Sequence, residues 1–276
     1  MVLVSALSIL GARVLSAFEE FGRFTRFAGT TARWLVVHPA RWLKPRLLMP
    51  PLFAVGAASI PVVATTGAFI GMILALEMYA QFAALGQEGR LGGVINLSVT
   101  KQIGPVLAAV MLAGRVGSSL AAELGTMRVT EQLDALRAMA CDPIPYLVVP
   151  RVVACTLMTP MLTAYSDMLG VWGGWLVTVR FYGVPDFEFW TFTANFLTWW
   201  EPTSGLLKSV LFGASIGLIS CYKGFNCQAG ASGVGRAATE AFVMSFIAII
   251  AINLVMAKLL NTIGDLYIYS PATSAL

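Results

Sequence analysis

Five apolar stretches separated by polar, glycine-bearing or proline-bearing segments set the pattern of this chain: Leu52–Leu76, Val94–Ala122, Leu147–Val179, Leu206–Cys221 and Ala241–Leu260. Each approaches or exceeds the roughly 20 residues that a helix needs to cross a bilayer. The third is long enough to tilt, and Pro150 and Pro160 predict kinks in it. Ahead of them, Leu10, Val14, Phe18, Phe21 and Phe24 recur at helical spacing beside Arg13, Glu19, Glu20 and Arg23. That pattern predicts an amphipathic helix lying on a membrane surface. Met1–Phe27 has neither a basic stretch ahead of its apolar run nor a small-residue cleavage site, so it does not read as a signal peptide. The fold class is all-α and integral to a membrane, with about five transmembrane helices behind an N-terminal interfacial helix. Residues 1–48 form the interfacial helix and a basic linker, and residues 49–276 form the transmembrane domain.

The loop between the second and third stretches holds the densest local signals. Small residues recur every fourth position along Gly117, Ala121 and Gly125, and again along Gly114, Ser118 and Ala122. Such spacing lets helix backbones approach closely inside lipid. Thr130 can then cap a new helix, with Glu131 and Asp134 favouring its positive N-terminal end. Leu133, Leu136 and Ala140 share one face, with Met139 beside them and Arg137 among the polar positions. Pro143 and Pro145 forbid continuation. A short helix hung between two membrane spans is suited to the groove of a partner protein, with contacts from Glu131, Leu133, Asp134, Leu136, Arg137 and Met139.

Composition agrees with a membrane body. The 276 residues are 58% hydrophobic and only 12% charged, and the mean hydropathy is +0.78; soluble domains carry about 25% charged residues. Thirteen Lys and Arg residues lie before the first stretch or in the loops around Gly114–Arg151 and Lys223–Arg236. Four others, Arg90, Arg180, Lys208 and Lys258, fall on the opposite side. This asymmetry predicts a cytoplasmic N-terminus, cytoplasmic loops around Gly114–Arg151 and Lys223–Arg236, and a C-terminus on the outer side. The net charge of +4 reflects that asymmetry and attraction to anionic lipid, not a nucleic-acid surface. Cys141, Cys155, Cys221 and Cys227 include no closely spaced pair, and with His38 as the single histidine they make no zinc site. The residues assemble no nucleophile, base and orienting group, so the chain reads as a non-enzyme.

Other candidates stand beside these. Gly230–Ala237 has the outer glycine spacing of a phosphate loop, but Arg236 and Ala237 replace the lysine and hydroxyl that such loops need. Its glycines predict a tight turn before the fifth span. Asp167 lies deep in the third stretch, where an ionisable residue marks either function or a helix-to-helix hydrogen bond through Ser166, Tyr165 or a neighbour. Lys101 and Gln102 interrupt the second stretch; Lys101 either snorkels to headgroups or meets a lipid phosphate. Leu74, Met78, Phe82 and Leu85 fall on one helical face, and core packing is the usual meaning of such a stripe. The aromatic segment from Phe181 to Pro202 predicts a short helix at the outer interface, and Glu77 an interfacial position.

The segment Gly114–Tyr146, together with Tyr222–Val243, resembles the signature of the MlaE-type permeases, the membrane subunits of ABC transporters that move phospholipid in double-membraned bacteria. The resemblance spans most of the chain after Leu48. It implies an inner-membrane permease, a homodimer with a cytoplasmic ABC ATPase dimer below and a periplasmic MCE-domain oligomer above. ATP and magnesium would belong to the ATPase, with no cofactor on this chain. It also implies a cytoplasmic coupling helix between spans two and three, and an outward-open phospholipid pocket lined by Leu74, Met78, Phe82, Leu85, Lys101, Gln102 and Ile103. Similar permeases commonly carry Arg-Glu where this chain has Lys101-Gln102, which removes both a bidentate guanidinium and a carboxylate. The same architecture would serve another hydrophobic cargo such as a sterol, and a non-transporting membrane scaffold is a further alternative.

Overall fold

The computed structural model describes residues 2–37 and 39–267, and the histidine at 38 falls outside them. All regular elements among these residues are helices: α1 (Val2–Val37), α2 (Pro39–Trp42), α3 (Pro45–Val55), α4 (Ile60–Ala84), α5 (Leu91–Ser98), α6 (Gly104–Leu112), α7 (Ser118–Val129), α8 (Gln132–Ala138), α9 (Val149–Trp175), α10 (Asp186–Phe196), α11 (Trp200–Phe225) and α12 (Ala231–Tyr267). Five helical segments among them are long and apolar enough to cross a membrane: Pro45–Ala84, Glu88–Val129, Ile144–Phe181, Trp200–Phe225 and Ala231–Leu266. They are spans one to five below. Each runs past the apolar stretch that announces it, because helices continue through flanking polar residues.

Span three is the hub. α9 packs on α4 and α11, and α11 packs in turn on α7 and α12. The α4–α9 crossing is tight: a Cβ on Gly71 would run into the backbone of Gly170, and one on Gly173 into the carbonyl of Ala68. Without a hydrophobic drive between helices in lipid, such backbone contact is what makes association favourable. Small residues of span two admit two neighbouring helices. Gly117 lies against Ser220 and Ile216 of span four, whereas Gly114 lies against Phe242 of span five. The largest core cluster joins Ala109, Leu112 and Val116 with Leu162, Phe212 and Ile249 from spans three, four and five.

Span one is broken. Pro50 and Pro51 remove two N–H donors from α3, and Gly56 ends it one turn before α4 begins. In span three, Pro150 occupies the first turn of α9, where no N–H partner is needed, while Pro160 lies within the helix. Wide π-turns at Val99–Ile103 and Ala113–Gly117 interrupt span two.

α1 docks beside span four. Phe24 and Phe27 pack edge-on against Tyr222 at centroid distances of 5.3 and 5.6 Å. Lys223 donates to Glu20 at 2.8 Å and to Glu240 at 3.1 Å, tying α1, α11 and α12 together. That bond holds the Glu20 carboxyl below its ordinary value. Phe18 and Phe21 remain 69% exposed.

Two expectations need correction. Thr130 does not cap α8: its hydroxyl bonds back to the Thr126 carbonyl at 2.8 Å and closes α7. Glu131 stands at the N-cap instead, in the left-handed region with φ 59°. Lys208 and Lys258, counted among the basic residues of the opposite side, lie within spans four and five, as the apolar stretches place them. The hydropathy pattern started span four at Leu206, but the helix begins at Trp200.

Candidate functional site

The coupling-helix candidates cluster at the basic end of the bundle. α8 runs only from Gln132 to Ala138, so Ala140, at φ 57°, falls beyond it rather than on its face. Leu133 is fully buried, Leu136 half-buried and Met139 67% exposed. Asp134 accepts from Arg128 at 2.9 Å and from Arg137 at 3.0 Å, which pins α8 to the end of span two. Glu131, Asp134 and Arg137 are all exposed. The Asp142 carboxylate accepts the Ile144 N–H at 3.0 Å and turns the chain into span three. One apolar side chain thus anchors α8 from within, while Leu136 and Met139 present apolar surface outward.

A second site lies inside the spans. The π-turn at Val99–Ile103 widens span two and frees a backbone carbonyl from the regular ladder. Lys208 of span four fills that need: its Nζ donates to the Lys101 carbonyl and to Gln102 Oε1, both at 2.7 Å. Lys101 Nζ in turn pairs with Glu201 Oε2 at 3.3 Å. Lys208 and Glu201 are 2% and 4% exposed. Sequence reasoning singled out Lys101 and Gln102 but missed Glu201 and Lys208, whose seven-residue spacing places them on one face of α11. Lys101 meets the carboxylate and Lys208 two neutral oxygens, so these three side chains carry formally one more positive than negative charge.

The apolar stripe divides. Leu74, Met78 and Phe82 pack half-buried against Leu91, Ile95, Val99 and Val177 from spans two and three, while Leu85 caps α4 and is 71% exposed. Ile103 is half-buried and Gln102 exposed. Stacking of Tyr79 on Tyr182 at 3.6 Å closes the same corner.

Asp167 faces span two, where a Cβ on Gly104 would collide with its Oδ1. That oxygen is buried and accepts no hydrogen bond, from Ser166, Tyr165 or any other described residue. Glu77 is exposed on α4. Phe187 and Trp199 of the outer aromatic segment are 80% and 91% exposed, while Phe189 is fully buried against Gly92. Gly230, at φ 88°, makes the turn before span five, and Ala231 already starts α12. The glycine-rich segment is therefore the first turns of a helix, not a phosphate loop. Cys155 and Cys221 are buried free thiols, and Cys141 is an exposed one.

The family described as Permease MlaE matches residues 49–259. A probable ABC transporter permease protein of Rickettsia felis is 40% identical over 257 residues, covering 93% of this chain and 98% of that protein. Another, from Synechocystis sp., is 43% identical over 206 residues, covering 75% and 78%. The intermembrane phospholipid transport system permease protein MlaE of Haemophilus influenzae is 31% identical over 265 residues, covering 95% of this chain and 100% of that protein. With the five-span helical body and matches of this extent, the chain belongs to the MlaE permease family of ABC transporter permeases.

Proposed function

We propose that this chain is the permease subunit of a transporter that moves phospholipid between inner and outer membranes, driven by ATP hydrolysis on a separate ATPase. Family membership supports the reading, together with the full-length likeness to a permease named for intermembrane phospholipid transport. The single structural observation that carries it is α8, anchored by Leu133 and offering Leu136 and Met139 outward. A partner's closing groove would push on this lever, and the tight contacts of α7 with spans four and five would pass the motion into the bundle.

Two copies would form the conduit. The apolar windows of spans one and five are only 28% and 17% buried, against 50–61% for the other three. Those faces suit a second copy, with an MCE-domain oligomer on the far side from α8. In this arrangement the basic end and the N-terminus are cytoplasmic, the C-terminus is periplasmic, and nucleotide and magnesium stay on the ATPase. Lys101 and Gln102, with Leu74, Met78, Phe82, Leu85 and Ile103, would line the lipid pocket, the excess positive charge of the Lys101–Glu201–Lys208 cluster meeting the phosphate.

The test is Leu136→Asp. A carboxylate in an apolar groove should weaken ATPase co-purification at least about tenfold, which corresponds to ~1.4 kcal/mol. Membrane insertion should be unchanged. Unaltered complex yield and ATP-driven lipid transfer in the variant would refute the docking role.

A further inference from the structure

At the basic end, the break in span one opens a cleft of about 580 Å³ against spans two and three. α3 leaves the line of span one at Gly56, where the Met158 side chain of span three occupies the space that a Cβ would take. Ser59, at the break, is 1% exposed, and it accepts a hydrogen bond from Arg115 Nη1 at 2.6 Å. Arg151 donates to the Leu147 carbonyl at 2.8 Å and to Glu123 at 2.6 Å. These bonds use one of the five N–H groups of the Arg115 guanidinium and two of those of Arg151. Arg46, in the first turn of α3, completes the polar rim. The rest of the lining is apolar and includes Leu47, Pro50, Ala54 and Leu147.

We propose that this cleft binds one anionic phospholipid of the adjacent leaflet, its phosphate held by Arg46, Arg115 and Arg151 and its acyl chain laid along Leu47, Pro50 and Leu147. Charge complementarity selects the headgroup. Three guanidiniums face one carboxylate, and that carboxylate, Glu123, already serves Arg151. A zwitterionic lipid brings a cation that finds no free partner, whereas an anionic headgroup neutralises the excess. The apolar wall selects a lipid over a free phosphate, because a small anion would leave that wall uncovered. A lipid in this place also bears on the break in span one through the Arg115–Ser59 bond. The site lies at the opposite end of span one from the pocket around Lys101, and it stands whatever cargo the transporter carries.

The full-length chain in phosphatidylcholine nanodiscs, doped with phosphatidylglycerol or phosphatidylcholine bearing an acyl-chain diazirine, tests this by mapping the photo-labelled peptides. Phosphatidylglycerol should label residues 47–55 and 146–150 several-fold over phosphatidylcholine. Arg46→Gln should lower that labelling about fivefold, the effect of one surface guanidinium. Glu123→Gln should raise it, an outcome that misfolding cannot imitate. Equal labelling by the two lipids, or indifference to both substitutions, would overturn the proposal. So would loss of the label to millimolar inorganic phosphate, which would mark a small-anion site.

Discussion

Replacing Glu201 with Gln keeps the shape of the intramembrane cluster but removes its single carboxylate. Lys101 and Lys208 would then lose the carboxylate that Lys101 pairs with between spans two and four. Breaking a fully buried ion pair costs about 3–5 kcal/mol. The Lys101 side chain is 32% exposed, so solvent screening reduces the expected loss to roughly 2 kcal/mol. At about 2–4 °C per kcal/mol for a chain of this size, the midpoint should fall by about 4–8 °C. The assay is thermal unfolding of the detergent-solubilised protein, followed by tryptophan fluorescence. Lys208→Met alone loses two hydrogen bonds but also removes a desolvated ammonium, so its effect should be smaller. The decisive comparison is the double variant Glu201→Gln/Lys208→Met, which restores the parent excess of one positive charge. It should unfold above Glu201→Gln alone. A Glu201→Gln protein as stable as the parent, or a double variant no better than it, would refute the charge-balance argument.

Gly71→Ala should cost about 1–3 kcal/mol, because the added methyl meets the Gly170 backbone rather than a movable side chain. Gly235→Ala, with nothing within 4 Å, should be neutral or stabilising, and thermal midpoints for the pair check the packing of spans one and three. The tie between Glu20 and Lys223 predicts a pH dependence of α1 docking. The folded-state value is depressed, so the contribution is complete above the ordinary value of 4.5 and lost as pH falls through the lowered one. A spin label replacing the exposed Leu15 should gain mobility below that value, and in Glu20→Gln it should be mobile already at neutral pH; a label indifferent to both would contradict the tie.

The five spans were legible because lipid demands continuous apolar length, and a run such as Ala241–Leu260 has no competing meaning. Their ends were not, since hydropathy measures solvent preference while helices obey backbone hydrogen bonding. That difference hid Glu201, which precedes the apolar stretch of span four, while Lys208 lies inside that stretch and was read only as a charge of the outer side. Thr130 misled for a related reason: a threonine hydroxyl serves an N-cap or a carbonyl one turn back equally well, and only the Thr126 carbonyl decided it. The face shared by Leu74, Met78 and Phe82 was visible in the spacing, but its neighbours Leu91, Ile95 and Val177 come from distant sequence. The break in span one was written locally, in Pro50, Pro51 and Gly56, yet the apolar character running through it masked the gap.

Cys141, an exposed thiol just beyond α8, offers the most direct measurement of whether this lever meets a cytoplasmic ATPase. In a Cys227→Ser background, a membrane-impermeant maleimide should label Cys141 in inside-out vesicles and not in right-side-out ones, and bound ATPase should protect it. Labelling from the right-side-out face would place α8 outside the cell's interior and contradict the coupling scheme.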